Sequence, residues 1–127
     1  MIFLRISSFD EAQVLEVARL LASERLAMDV NIQRDLERIT LVEGELQARP
    51  LFLLTAKTRA NLFSTIDARL RAMYGYELPE LFSLPIVHMD WEQSRELVAV
   101  VRAPEVATST AQSAPLEAPN ALPPAQN

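Results

Sequence analysis

Two extended segments meet at the tripeptide Glu43-Gly44-Glu45, and they limit what this chain can fold into more than any other feature. Before the tripeptide the apolar period is two: Val30 and Ile32, then Leu36, Ile39 and Leu41, with a bulge expected near residues 33–35. After it, Leu51 to Ala56 is almost continuously apolar, as in a strand covered on both faces. Gly44 is one of only two glycines, and a tight turn that needs positive φ is a natural place for one. The expected product is a long β-hairpin.

The flanking sequence places helices and strands around that hairpin. Ile2, Leu4 and Ile6 alternate with Phe3 and Arg5 in a first strand whose two faces are both fairly apolar, as in the centre of a sheet. Ser8 and Glu11 have capping-box spacing, and Asp10 also favours a helix start. Val14, Val17, Ala18 and Leu21 then bury one face of a helix that runs to about Leu26. Leu62, Ile66, Leu70 and Met73 form a second helical stripe that stops near Gly75. Leu81 to Val87 reads as a fourth strand. Trp91 to Val101 reads as a short terminal helix with Leu97, Val98 and Val101 turned inward.

The order is βαββαβ plus a helix, an α+β class in which two helices cover one antiparallel sheet, the ferredoxin-like arrangement. Five groups of residues go further than the order alone: Glu24-Arg25-Leu26-Ala27 with Val30-Asn31-Ile32, Glu43-Gly44, Lys57-Thr58-Arg59, Tyr76-Glu77-Leu78-Pro79-Glu80, and Leu84-Pro85-Ile86. In this order and spacing, across about residues 1 to 100, they resemble the CutA divalent-cation tolerance proteins. The resemblance implies a ferredoxin-like subunit with a long hairpin between its second and third strands, assembled as a tight homotrimer whose sheets join through those strands. It also implies a role in metal tolerance, with copper the metal most often implicated. Edge-to-edge pairing in a trimer would cover apolar strand edges that otherwise invite aggregation.

Departures from the family pattern bear on the metal. Relatives commonly have a cysteine beside the Val-Asn-Ile strand, where this chain has Met28-Asp29, and a His-Pro before Tyr-Glu, where it has Tyr74-Gly75. Aromatic residues usual before the Glu-Gly turn are replaced by Thr40-Leu41-Val42. Cu(I) favours sulfur and Cu(II) imidazole nitrogen, so losing both donors weakens a copper site. The remaining candidate metal ligands are Glu77 and Glu80, with His88, the single histidine, and Asp90 as a second pair. Glu-x-x-Glu in extended chain does not put both carboxylates on one face, so separate structural acids are the competing reading.

Lys57 is the sole lysine beside eleven arginines. With Thr58 and Arg59 it precedes the second helix, whose free N–H groups favour an anion. This is the candidate anion site, as in the similarly shaped trimeric PII signalling proteins, which hold nucleotides between subunits. The competing reading pairs Lys57 with Glu77 or Glu80 across an interface. Tyr74, Tyr76 and Trp91 read as packing or interface residues.

Composition excludes several classes. The chain has no cysteine, hence no disulfide, thiolate nucleophile or cysteine-based metal site. With one histidine and no obvious base for its hydroxyls, it is not expected to be an enzyme. A formal charge of −5 argues against nucleic-acid binding. No apolar run reaches the 18 or so residues of a membrane span, and the start lacks signal-peptide features, so a soluble cytoplasmic protein is expected. Residues 1–102 carry all 12 Lys and Arg and form one domain. Residues 103–127 hold five of the eight prolines and only Glu105 and Glu117 as charges. That stretch is expected to be a disordered tail, or to recruit a protein partner through Ala114-Pro115-Leu116 or Ala121-Leu122-Pro123-Pro124. Three functions follow: a non-catalytic trimeric protein of divalent-cation tolerance, a PII-like sensor of an anionic metabolite, or a structural trimer whose tail recruits a partner.

Overall fold

In a computed structural model, described over residues 1–104, the chain forms β1 (Ile2–Ser8), α1 (Glu11–Ser23), β2 (Met28–Val42), β3 (Glu45–Thr58), a 3-10 turn (Ala60–Leu62), α2 (Phe63–Tyr74), β4 (Glu80–Pro85) and α3 (Trp91–Val100). The strands lie in one antiparallel sheet of order β2-β3-β1-β4. This is the expected ferredoxin-like α+β fold. The two docking segments expected around Leu116 and Leu122 lie outside the described residues.

Side-chain parity divides the sheet into two faces. Leu4 and Ile6 of β1 and Leu54 and Ala56 of β3 face the helices. There they are buried with Val14, Val17 and Leu21 of α1, Ile66 and Leu70 of α2, and Leu97 and Val101 at the far end. The opposite face carries Arg5 and Ser7 beside Leu53, Phe82 and Glu80, in the register Arg5↔Phe82, Ser7↔Leu53 and Ser7↔Glu80.

The hairpin is long because β2 and β3 outrun their neighbour. β1 ends opposite Phe52, so residues 45–51 of β3 pair with β2 alone and form, with residues 36–42, a two-stranded arm. Glu43 and Gly44, at φ 50° and 82°, make its two-residue turn; positive φ at both positions is what twist-matched hairpin turns need, and Gly44 supplies it without a Cβ penalty. The expected bulge is present: the register shifts between Gln33 and Leu36, and Asp35 has φ 63°. A second shift follows Met28, with Asp29 at φ 53°.

Five local expectations are corrected. Asp10, not Ser8, caps α1: its Oδ1 accepts from Ala12 N at 3.0 Å, while Ser8 Oγ accepts from Asp10 N and donates to the Gln13 side chain. α1 stops at Ser23 because Arg25 turns to φ 56°, and the N–H groups of Leu26 and Ala27 fold back onto the Leu21 carbonyl. β4 ends at Pro85 because its partner there, Ile2, is the first residue of β1. Met73 and Val98 point outward, 38% and 52% exposed, so the apolar stripes of α2 and α3 are narrower than their sequences suggest. Among the described residues, no helix is long and apolar enough to cross a membrane.

Candidate functional site

Lys57, Thr58 and Arg59 close β3, and each is engaged within its own chain. Lys57 Nζ donates to Asp29 Oδ2 at 3.1 Å and to Gln93 Oε1 at 3.3 Å. Within one chain Lys57 is remote from Glu80, since it lies opposite Phe3 whereas Glu80 lies opposite Ser7, further along the sheet; the pair expected with Glu77 or Glu80 across an interface would be made between copies. Thr58 is fully buried, its Oγ1 donating to the Leu26 carbonyl at 2.5 Å. Arg59 donates to the carbonyls of Val98 and Val101 at the C-terminal end of α3, where the helix dipole favours a cation. The tripeptide ties β3 to the α1–β2 connection and to α3.

The candidate metal ligands fall into two groups at opposite ends of β4. Glu77 precedes the strand and Glu80 opens it, whereas His88 and Asp90 follow it, so the six-residue strand puts about 17 Å between the two groups. Glu77 and His88 are exposed. Asp90 is the N-cap of α3, its Oδ2 accepting from the backbone of Glu92 and Gln93 at 3.1 and 3.3 Å. Among the described residues, no group of three or more His, Asp or Glu side chains is placed to hold a metal ion.

Glu80 belongs to a cluster that sequence reasoning missed. Its carboxylate receives a fork from Arg38, Nη2 to Oε1 at 2.9 Å and Nη1 to Oε2 at 3.1 Å, and a bond from Ser7 Oγ at 2.7 Å. Arg38, then Ser7, hold the Glu80 carboxyl below the usual range, with the Arg5 charge adding to the effect. Arg38 stands opposite Arg49 across the hairpin, and both guanidinium groups lie over the Phe9 ring, at 5.8 and 3.8 Å from its centroid. Ser7, Phe9, Arg38, Leu51, Pro79 and Glu80 line a shallow recess of about 160 Å³ there. A signal was available: equal steps back from the two-residue turn pair Arg38 with Arg49.

The aromatic candidates separate. Tyr74 donates to Glu16 Oε1 at 2.5 Å, and burial, with that carboxylate, pushes its pKa up so that the hydroxyl stays protonated. Tyr76 is fully exposed, and Trp91 is 61% exposed with Arg95 stacked on it.

Residues 1–95 match the family described as CutA1 divalent ion tolerance protein. A divalent-cation tolerance protein CutA from Thermus thermophilus is 35% identical over 80 residues, covering 59% of this chain and 78% of the relative. The solved structure of a divalent cation tolerance protein from that organism superposes with a TM-score of 0.69 at 30% identity, over 80% of this chain and all of the other. A chloroplastic CutA 1 protein of Oryza sativa is 38% identical over 64 residues, half of this chain but 36% of the plant protein.

Proposed function

The chain belongs to the CutA family of divalent-cation tolerance proteins, and from that premise we propose that it acts as a non-catalytic homotrimer, a binding or scaffold protein of the cytoplasm that responds to divalent metal ions. The observation that carries the trimer is the arm. Cross-strand partners share a face, so Ile39 with Ala48 and Leu41 with Leu46 form one apolar surface that continues the helix-covered face of the sheet beyond α1 and α2. Ile39, Leu41 and Leu46 are 57%, 69% and 75% exposed. Apolar side chains on a two-stranded ribbon with free edges ask for a second chain, and closed symmetry limits how many copies join.

Copper is the proposed ion, and the donor set limits how it is held. One subunit does not fit it: no cysteine is present, and the four candidate ligands are divided between the two ends of β4. Glu80 and Asp90 are also engaged, by Arg38 and by the α3 backbone. An ion would therefore be shared between copies, and Glu77 and His88 are the exposed donors available for it. The domain is proposed to end at residue 102, where Arg102 N donates to the Arg25 carbonyl at 2.8 Å, leaving residues 103–127 as a tail.

Native mass spectrometry of the intact chain, alone and with sub-stoichiometric Cu(II), tests the reading. A trimer that takes up copper, and loses it on Glu77→Gln or His88→Ala, supports it. A trimer that takes up none removes the direct metal role and leaves the scaffold. Fractionation of the native cell tests the cytoplasmic placement.

A further inference from the structure

The root of the hairpin arm is fastened to the body by charged side chains as well as by the buried Leu51. Arg38 and Arg49 face each other across the ribbon just where β3 leaves β1, on the face opposite the uncovered Ile39, Leu41 and Leu46. Arg38 reaches from the arm to Glu80, the first residue of β4, and Ser7 near the end of β1 secures the same carboxylate. Phe9, at the start of the β1–α1 turn, lies under both guanidinium groups. At the bulge of β2 just before the arm, Arg34 pairs with Glu11 of α1. All 7 residues between Val42 and Ala48, inclusive, are exposed, so these root contacts are what orient the arm.

We propose that Arg38, Glu80, Ser7 and Phe9 form a latch that fixes the angle of the arm against the body and thereby sets how strongly copies of this chain associate. The effect on association rests on the trimer reading above; the latch itself does not. A forked guanidinium–carboxylate pair fixes direction as well as distance, whereas one flexible contact would leave a two-stranded ribbon free to swing. Holding the arm in its assembled direction before partners meet lowers the ordering cost of association. The latch also gives Glu80 a positioning role in place of the metal-ligand role its sequence suggested, because a metal at that carboxylate would have to displace Arg38.

The absence of cysteine allows a direct test. Spin labels at Gln47→Cys on the arm and Ala22→Cys on α1, both at exposed positions, report the arm–body distance by pulsed electron resonance. Labelled chains are diluted into unlabelled chains so that distances within one copy dominate. The parent should give one narrow distribution, and Glu80→Ala should broaden it. Arg38→Met should broaden it equally, and the double variant no further, as for two groups acting through one contact. The trimer dissociation constant should rise about three- to tenfold in each, the range of a well-formed partly exposed ion pair. Circular dichroism of each variant checks that the body remains folded. An unchanged distance distribution in both single variants would overturn the latch. A loosened arm with unchanged association would overturn its control of assembly. A parent chain that is monomeric at every concentration would overturn the trimer reading, while the distance measurement would still decide whether the latch exists.

Discussion

Arg59 grips the Val101 carbonyl with two of its nitrogens, Nε at 3.3 Å and Nη2 at 3.0 Å, and Nη2 also reaches the Val98 carbonyl at 2.9 Å. One side chain at the end of β3 thus satisfies carbonyls that α3 leaves open at its C-terminus. Arg25 adds a bond from Nε to the Val100 carbonyl at 3.0 Å.

Arg59→Ala should therefore loosen α3. Charge-assisted bonds of this kind are each worth about 1.5 to 3 kcal/mol, and the loss should fall near that range in urea unfolding. Arg59→Lys should recover little of it, because one ammonium cannot reproduce the fork. Trp91, the only tryptophan, sits on α3, so its emission reports the helix directly. Unchanged stability and unchanged emission would show that the clamp contributes nothing.

Thr58→Val keeps the shape of a fully buried side chain but deletes its bond to the Leu26 carbonyl. The cost should be about 1 to 3 kcal/mol. Thr58→Ser, which keeps the hydroxyl, should cost less; a larger loss in Thr58→Ser than in Thr58→Val would place the effect in methyl packing instead.

Leu54→Ala and Ile66→Ala should each cost about 2 to 5 kcal/mol, since both side chains have no exposure and truncation leaves a cavity. Met73→Ala and Val98→Ala should cost less than about 1 kcal/mol, as usual for exposed sites. Chemical denaturation of the four variants side by side checks the division between core and surface.

Acid should weaken the fold through Glu80 and Glu24. Arg38, and secondarily Ser7, lower the folded pKa of Glu80, while Arg69 lowers that of Glu24, both below the ordinary 4.5. A lowered folded pKa means that the unfolded chain binds more protons in this window. The contribution is thus complete above the ordinary carboxylate range and is lost as pH falls through the lowered values. Stability measured from pH 6 down to 2 should decline below about pH 4.5, and less steeply in Glu80→Gln. An identical slope in that variant would remove Glu80 from the titration.

Most of the fold was legible because local signals agreed. Period-two segments around Gly44 gave the hairpin and its bulge, and the i, i+3, i+4 spacing of Val14, Val17 and Leu21 gave α1. Boundaries were less legible where long-range pairing decides them: β4 ends with its partner strand β1, at the Ile2–Pro85 pair, which no window around Pro85 reveals. The cap of α1 was misread because Ser8 and Asp10 are both competent, and the Gln13 side chain drew Ser8 away. The site was the least legible part. Lys57-Thr58-Arg59 looked like a charge cluster before a helix, but its acceptors, Asp29 and the carbonyls of Leu26, Val98 and Val101, are remote in sequence. Glu80 was noticed for its charge, while its partner Arg38 becomes visible only once the hairpin register is counted.

Assembly through the arm carries the proposed function, and sedimentation of the intact chain beside Leu46→Asp tests it most directly. The account predicts a trimer at micromolar concentration for the native sequence and a folded, dissociated chain for Leu46→Asp, because a charge placed on the uncovered Leu41–Leu46 surface must be desolvated for copies to meet. A native chain that sediments as a monomer, or a trimer indifferent to Leu46→Asp, would contradict it.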